Sequence, residues 1–259
     1  MKRRLTPANY LVLLIATSFF VFPLIAAFEF SLRANAGKSH NFSNYQWVFS
    51  QPGFKTNLFV SFRLAVLTAI AVLILMVPTI VYLHLGGGRW KRFIEFVCLV
   101  PLVVPAISFA LGAATAFPLF LQSTVYELSF LYVIISLPYT YRALDVGLSS
   151  IPLITLVEAS RASGASTFQT LIYVVMPTIR SAVNGAIFLA IALSLGEFTL
   201  AVLLHWDTFP TWIANVSQGN VLGAIALSVM ALVGAWLVVL VVAIAPKSIR
   251  SESNQEATA

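Results

Sequence analysis

Residues 152–177, PLITLVEASRASGASTFQTLIYVVMP, form a polar segment in an otherwise apolar chain. Hydrophobic stretches on both sides of this polar segment are long enough to cross a bilayer. A membrane protein seldom keeps such an interruption without a use for it. The polar segment is therefore the first candidate for function.

The composition excludes an ordinary water-soluble domain. Of the 259 residues, 59% are hydrophobic and 9% are charged, whereas a globular domain has about a quarter charged residues. Apolar runs of about 20 residues are typical of spanning helices, while barrel strands alternate over about 10. We therefore predict an all-α, polytopic membrane protein.

Six apolar segments have the length of a transmembrane helix. They lie near residues 10–30, 58–85, 93–117, 125–144, 181–204 and 221–245. The first is longer than the hydrophobic part of a signal peptide, about 7 to 15 residues, so we expect a retained helix. No internal repeat is visible, and we predict a single transmembrane domain over residues 1–259.

The basic residues predict the orientation in the membrane. One side holds Lys2, Arg3, Arg4, Arg89, Lys91, Arg92, Arg142, Arg161, Arg180, Lys247 and Arg250, and the other holds Arg33, Lys38, Lys55 and Arg63. The positive-inside rule places both termini and the polar segment in the cytoplasm. Because the net charge of +6 is spread over short clusters beside apolar segments, it indicates topology and not nucleic-acid binding.

The polar segment has the pattern of helix, turn and helix. Pro152 suits a first helical turn and Gly164 permits a sharp bend before the chain resumes towards Pro177. Two apolar groups predict surfaces that dock into a partner's groove: Leu153, Leu156 and Val157, and Phe168, Leu171 and Ile172. The alternative is an amphipathic elbow that rests on the membrane surface.

Three elements of the polar segment resemble the EAA signature of ABC importer permeases. Glu158-Ala159-Ser160 is followed after three residues by Gly164-Ala165, and after the family's spacing by Val174-Val175-Met176-Pro177. Ser160, Val174 and Met176 depart from the family's Ala, Ile and Leu. The resemblance implies the fold of a type I importer permease, with residues 149–180 as its cytoplasmic coupling loop, called the EAA loop below.

The resemblance also implies the partners. The EAA loop would contact cytoplasmic ATPase subunits through Glu158, Ala159, Ser160, Gly164, Ala165, Phe168 and Pro177. Two such subunits would bind ATP and magnesium, since this chain has no Walker-type loop. We expect no cofactor and no catalytic residue in the chain itself. A second permease subunit, a related chain rather than another copy, and an extracytoplasmic binding protein would complete the importer in a bacterial inner membrane.

Ionisable residues within apolar segments are candidates for the translocation path. Glu197 in the fifth segment and Arg63 in the second have similar predicted depths, and we predict that they pair. Glu197 would offer a counter-charge to a cationic substrate, or else would be structural. Tyr132, Ser136 and Tyr139 are further candidates for polar cavity contacts.

The cargo class stays open between several branches of the importer family. The EAA loop and the overall pattern are most similar to spermidine and putrescine permeases, with iron(III), phosphonate and oxyanion importers as alternatives. Two other classes compete: an intramembrane serine protease that uses Ser166, and a channel or secondary transporter that needs no ATPase. Ser166 lacks the second glycine of a nucleophile motif.

Residues His205 and Asp207 raise the question of a metal site. A third ligand is missing, so we predict no metal. Trp206 and Trp212 are expected to be interfacial anchors instead. Cys98 is the single cysteine, which excludes an internal disulfide framework.

Overall fold

The computed structural model describes residues 7–33, 39–86 and 88–244. Within these ranges the regular structure is helical, and one isolated antiparallel bridge joins Arg33 to His40. The helices are α1 (Pro7–Leu32), α2 (Ser43–Ser50), α3 (Phe54–Leu85), α4 (Gly88–Leu99), α5 (Ala106–Ala116), α6 (Leu119–Gln122), α7 (Glu127–Ser149), α8 (Leu153–Ala162), α9 (Thr167–Gln169), α10 (Met176–Thr178), α11 (Arg180–Gly196), α12 (Thr199–Leu203), α13 (Phe209–Ser217) and α14 (Val221–Ile244).

All six predicted segments fall on helices. Among the described residues, two of these helices are long enough to cross a membrane without a break. Tyr10–Leu32 and Phe54–Leu85 are long and apolar enough to cross a membrane by themselves. Three further pairs qualify only as bent spans: Trp90–Leu102 with Ala106–Ala116 (105°), Glu127–Ser149 with Leu153–Ala162 (71°), and Thr167–Thr178 with Arg180–Gly196 (86°). Val221–Leu237 is a shorter apolar stretch.

The third predicted span is wrong as a continuous helix. A 3₁₀ turn, Val100–Leu102, follows α4, and α5 begins only after Pro105. Pro105 has no amide hydrogen, and its ring disfavours helical backbone in the residue before it. The apolar run of residues 93–117 therefore folds as two helices.

The fifth predicted span, residues 181–204, is also interrupted. The helix α11 ends at Gly196, and Glu197 takes an extended backbone with φ −76° and ψ 120°. The Glu197 side chain then accepts a hydrogen bond from the Leu200 amide at 3.1 Å. This bond satisfies one of the free amides at the start of α12, which favours a new helix over continuation of the first.

The chain divides into two compact units, while the prediction of one transmembrane domain stays a prediction. The first unit contains residues 1–54 and 212–237. Here the buried Asn44 amide of α2 donates to the carbonyls of Ser31 and Arg33, at 2.9 and 2.7 Å. Trp212 is 7% exposed, and its indole donates to the Pro52 carbonyl at 2.9 Å. Its predicted role as an interfacial anchor is therefore wrong, because the ring is buried.

The second unit contains residues 55–211 and 238–259. Its most extensive helix packing joins α7 to α11. One core cluster surrounds this contact and includes residues of α3, α7, the EAA loop and α11, among them Val72, Leu144, Val175 and Ala186. A second core cluster joins α3, α5, α7 and α12 through Leu64, Ala110, Leu131, Leu200 and others.

Candidate functional site

The EAA loop folds as the predicted helix, turn and helix. The first arm, α8, ends at Ala162, and the second arm begins at Thr167 and runs through a π-helical stretch, Thr170–Val175, into α10. Gly164 has φ +84°, a conformation that side-chain-bearing residues rarely adopt. The predicted bend at Gly164 is confirmed.

Local hydrogen bonds define both sides of this bend. The Gly164 amide donates to the Arg161 carbonyl at 2.9 Å, and the Ala165 amide donates to the Ser160 carbonyl at 3.2 Å. This pair of bonds is the Schellman arrangement that ends helices at glycine. Ser166 and Gln169 then form a reciprocal capping box that starts the second arm. The bend is a fixed structure built from neighbouring residues.

The two arms also bond to each other. The hydroxyl groups of Ser160 and Thr170 lie 2.9 Å apart, and Thr170 is 3% exposed. Ser160 is the residue that departs from the second alanine of the EAA pattern. The departure therefore adds an inter-arm hydrogen bond, which the sequence pattern alone did not indicate.

The predicted docking surface of the EAA loop needs correction. Leu153 and Val157 are both 5% exposed and belong to the core of the second unit. Leu153 and Val157 anchor the base of the loop in this core and are not available to a partner. The large apolar groups that the loop does present are Ile154, Phe168 and Tyr173, at 57%, 72% and 75% exposure.

Most of the residues assigned to ATPase contact lie on the surface. Glu158, Ala159, Gly164, Phe168 and Pro177 are exposed, whereas Ser160 and Ala165 are partly buried. The assignment of these residues to ATPase contact stays a prediction at the level of single residues.

A cavity of about 480 Å³ separates the EAA loop from the end of α3. Pro78 and Tyr82 line its α3 side, and Glu158, Arg161 and Thr167 line its loop side. Glu158 thus lies where the loop surface meets this cavity.

Charged side chains connect three helices near the EAA loop. His84 of α3 lies 2.8 Å from the Asp145 carboxylate of α7, and Lys91 of α4 lies 3.8 Å from the same carboxylate. Arg142 of α7 lies 3.3 Å from Glu95 of α4. From the sequence, Lys91 and Arg142 entered only the prediction of membrane orientation. His84 and Asp145 are 61 positions apart in the sequence. The one local sign of this ion pair was that Asp145 directly follows the apolar segment 125–144.

The predicted pairing of Arg63 with Glu197 is wrong. The Arg63 guanidinium lies 5.0 Å from the centre of the Tyr126 ring, and the ion pairs found among the described residues do not join Arg63 to Glu197. Glu197 instead caps α12 with one carboxylate oxygen. The other oxygen, Oε2, is buried and has no hydrogen-bond partner in the described structure.

The other cavity candidates lie in different surroundings. Tyr132 is 1% exposed, and its hydroxyl has no hydrogen-bond partner among the described residues. Ser136 is fully buried and donates to the Val133 carbonyl at 2.8 Å. Tyr139 is 43% exposed and lines a second cavity of about 540 Å³ with residues such as Arg142. The structure therefore buries Tyr132 and Ser136 and leaves Tyr139 exposed.

Glu127 is a buried carboxylate that the sequence analysis missed. It is 3% exposed, one oxygen accepts a hydrogen bond from the Trp206 indole, and the other has no partner. Trp206 follows His205, which has φ +60°. The expected anchoring role of Trp206 in the interface is wrong for its indole N–H, because that group bonds to Glu127.

Among the residues that the structure describes, no group of three or more His, Cys, Asp or Glu is arranged to hold a metal ion. The Ser166 hydroxyl accepts from the Gln169 amide as a helix cap at 3.3 Å. That contact gives Ser166 the role of a cap and not of a nucleophile.

Residues 84–250 match the protein family described as "Binding-protein-dependent transport system inner membrane component". The chain belongs to this family. The family consists of transport subunits and not of enzymes, in agreement with the prediction from the EAA signature. The resemblance to ABC importer permeases is confirmed at this level.

Two relatives of this family member carry the name putative 2-aminoethylphosphonate transport system permease protein PhnV. They come from Salmonella paratyphi A and Salmonella typhimurium, and each is 24% identical over 151 residues, 56% of this chain. The match spans 57% of the length of these relatives. They do not support the predicted resemblance to the polyamine branch.

A solved structure of similar fold is that of a bacterial ABC transporter involved in the import of the acidic polysaccharide alginate. It shares 22% sequence identity and a TM-score of 0.71, over 93% of this chain and 95% of the other. The predicted all-α permease fold is confirmed.

Proposed function

We propose that this permease family member is a membrane subunit of an ATP-driven importer and that its EAA loop receives the force of ATP binding. The observation that carries the proposal is the build of the loop. Its turn is fixed by hydrogen bonds, its base is buried through Leu153 and Val157, and Glu158 and Phe168 are exposed. A rigid loop that is anchored in the core transmits a displacement to the helices it joins, whereas a flexible loop would deform instead.

The partners follow from this role. Two ATPase subunits bind ATP and magnesium, and a second permease chain, a related one rather than a copy, encloses the pathway. An extracytoplasmic binding protein delivers the cargo. A groove on an ATPase subunit takes an exposed aromatic anchor such as Phe168, since aromatic side chains dominate the energy of such contacts.

In this proposal, the EAA loop and both termini lie in the cytoplasm of a bacterial cell. Support comes from the charged side chains that border the loop: Lys91, Arg142, Arg161 and Arg180 lie on α4, α7, α8 and α11. Positive charge accumulates on the cytoplasmic side of inner-membrane proteins. Lys2, Arg3, Arg4, Lys38, Lys247 and Arg250, which also entered the prediction, lie outside the described residues.

Copurification with the ATPase subunit of the same transporter tests the coupling role. Glu158→Lys reverses an exposed charge and should weaken recovery of the ATPase about tenfold, which corresponds to about 1.4 kcal/mol. Asp207→Lys is the matched control, because Asp207 is exposed and lies far from the EAA loop in the sequence. Equal recovery with both variants would contradict the proposal, and so would transport by the purified chain without any ATPase.

For the cargo, we propose a small amino-substituted phosphonate, with a polyamine as the alternative. The names of the relatives support the first, and both cargo classes carry an ammonium group. Glu197 would supply the counter-charge, since its Oε2 is buried without a hydrogen-bond partner among the described residues. An unpaired polar group in a membrane is costly, and such groups often mark substrate paths.

The remaining pathway residues have secondary roles in this proposal. Tyr139 and Arg63 lie on surfaces that the solute would pass. Ser136 and Tyr132 are closed to solvent in this conformation, so they would meet the solute only after neighbouring helices separate.

Uptake by the assembled transporter distinguishes the two roles of Glu197. The probes are 2-aminoethylphosphonate, putrescine and ethylphosphonate, of which the last lacks an amine. Glu197→Gln keeps a cap oxygen for α12 but removes the charge. It should therefore raise the KM for whichever of the two amines, 2-aminoethylphosphonate or putrescine, is transported, by about tenfold or more. Glu29→Gln, at an exposed carboxylate on α1, is the control. An unchanged KM would assign Glu197 a structural role.

A further inference from the structure

Gly147 of α7 lies directly against α11, the helix with which α7 has its most extensive packing. A Cβ atom added at Gly147 would lie 2.2 Å from the Cβ of Ala182 on α11. The Ala182 Cβ is fixed to its backbone and has no rotamer by which to move away. Any side chain at position 147 therefore has to push α7 and α11 apart.

This contact lies at the two roots of the EAA loop. Gly147 precedes the end of α7 at Ser149, after which the chain bends by 71° into α8. Ala182 follows the start of α11 at Arg180, where the chain arrives from the second arm with a bend of 86°. The crossing of α7 and α11 therefore sets the separation of the two arms where they enter the helix bundle.

The surroundings of this contact are closely packed. Leu144 and Leu148 of α7 are 0% and 1% exposed, and Val183 and Ala186 of α11 are 6% and 0% exposed. All four belong to one core cluster together with residues of the EAA loop. Because close-packed interiors transmit strain and do not absorb it, a shift of either root is passed along both helices.

Close approach is the reason for glycine here, and not backbone freedom. Gly147 lies within a helix and is not among the glycines with positive φ, unlike Gly164. Gly185 on α11 has no atom within 4 Å of an added Cβ. Packing therefore requires glycine at position 147 but not at position 185.

We propose that the contact of Gly147 with Ala182 is the joint through which movement of the EAA loop reaches the membrane helices. Gly147 and Ala182 would act as positioning residues, through the packing of α7 against α11 and not through contact with ATPase or cargo. The inference rests on the proposed importer function. In this proposal, the close contact couples the two arms of the EAA loop to α7 and α11. A larger distance between the two helices would weaken this coupling.

Three variants separate transmission from mere folding. Gly147→Ala introduces the 2.2 Å overlap. Gly147→Ala with Ala182→Gly removes that overlap, because the remaining neighbours of the new Cβ are the residue 182 Cα at 3.7 Å and the Ile179 Cβ at 3.9 Å, ordinary contact distances. Gly185→Ala is the matched control for adding one methyl group to the same helix pair.

The readout is the ATP-dependent reactivity of a cysteine in the middle of α11. Leu189→Cys lines the second cavity, and Cys98→Ala removes the natural thiol. The transporter is assembled with its own ATPase subunits, and the rate of thiol labelling is compared without nucleotide and with ATP and vanadate. No cargo is required, so the result does not depend on which solute is transported.

With Gly147 unsubstituted, we expect the labelling rate to change when ATP and vanadate are added. Gly147→Ala should reduce this nucleotide-dependent change about fivefold or more, in the range usual for coupling between sites. The double variant and Gly185→Ala should restore or retain the change, and the ATPase should copurify with all three. A full nucleotide response in Gly147→Ala, no rescue by Ala182→Gly, or no response with Gly147 would overturn the proposal. Failure of the unsubstituted chain to bind any ATPase would instead overturn the importer function first.

Discussion

The hydrogen bond from Trp206 to Glu127 gives the sharpest prediction of stability in the second unit. Glu127 is 3% exposed, and the Trp206 indole is the partner of one carboxylate oxygen while the other oxygen has none. Trp206→Phe keeps an aromatic ring and removes the N–H donor. The carboxylate then loses this donor in a nearly closed site.

The size of the effect follows from the charge and burial of Glu127. Hydrogen bonds to charged groups contribute about 1.5–3 kcal/mol, whereas side-chain bonds between membrane helices average about 0.6 kcal/mol. The high burial and the unpartnered second oxygen place Glu127 in the first range. We expect Trp206→Phe to lower the free energy of unfolding by about 2 kcal/mol.

A double-mutant cycle measured by unfolding in mixed micelles tests this reasoning. Glu127→Leu removes the buried carboxylate, so Trp206→Phe should cost less than about 0.5 kcal/mol in that background. Trp90→Phe, at a tryptophan that is 58% exposed, controls for the general effect of the exchange. Equal costs of Trp206→Phe in the two backgrounds would refute the assignment of the energy to the Glu127 bond.

Two further predictions concern glycines. At Gly164, with φ +84°, Gly164→Asn should retain ATPase copurification, whereas Gly164→Val should reduce it about 5- to 30-fold, because a β-branched residue strains this backbone by about 1–2 kcal/mol or more; equal recovery would show that the bend is not required. In the first unit, a Cβ at Gly223 would lie 2.3 Å from the Trp47 ring, so Gly223→Ala should cost about 1–3 kcal/mol and shift the tryptophan fluorescence. Gly234→Ala, with nothing within 4 Å, is its control, and a cost as large there would contradict the packing argument.

The sequence by itself determined the helical class of the chain and the form of the EAA loop. Apolar run length predicts helices because a bilayer leaves no water to satisfy the backbone. The spacing of Glu158, Gly164 and Pro177 predicted two arms about a glycine bend. This succeeded because the bonds that fix the bend, such as Ala165 to Ser160 and Gln169 to Ser166, join residues close in the chain.

Tertiary structure alone decided where apolar runs break and which distant residues meet. Continuous hydropathy did not reveal the stop at Glu197. The cap that Glu197 forms on the Leu200 amide is local, but the burial of Leu200 in the core cluster with α3, α5 and α7 is a tertiary contact. Depth alone suggested that Arg63 meets Glu197, but the direction in which each side chain points is set by helix rotation.

The contacts that matter most for the second unit also come from packing. Trp206 bonds to Glu127 across 79 positions, and Gly147 meets Ala182 because α7 and α11 cross at that level. Hydropathy indicates how deep in the membrane a residue lies, and local sequence spacing indicates where the backbone turns. Neither records which face of one helix is turned towards another, and that choice is made by the close packing of the assembled helices.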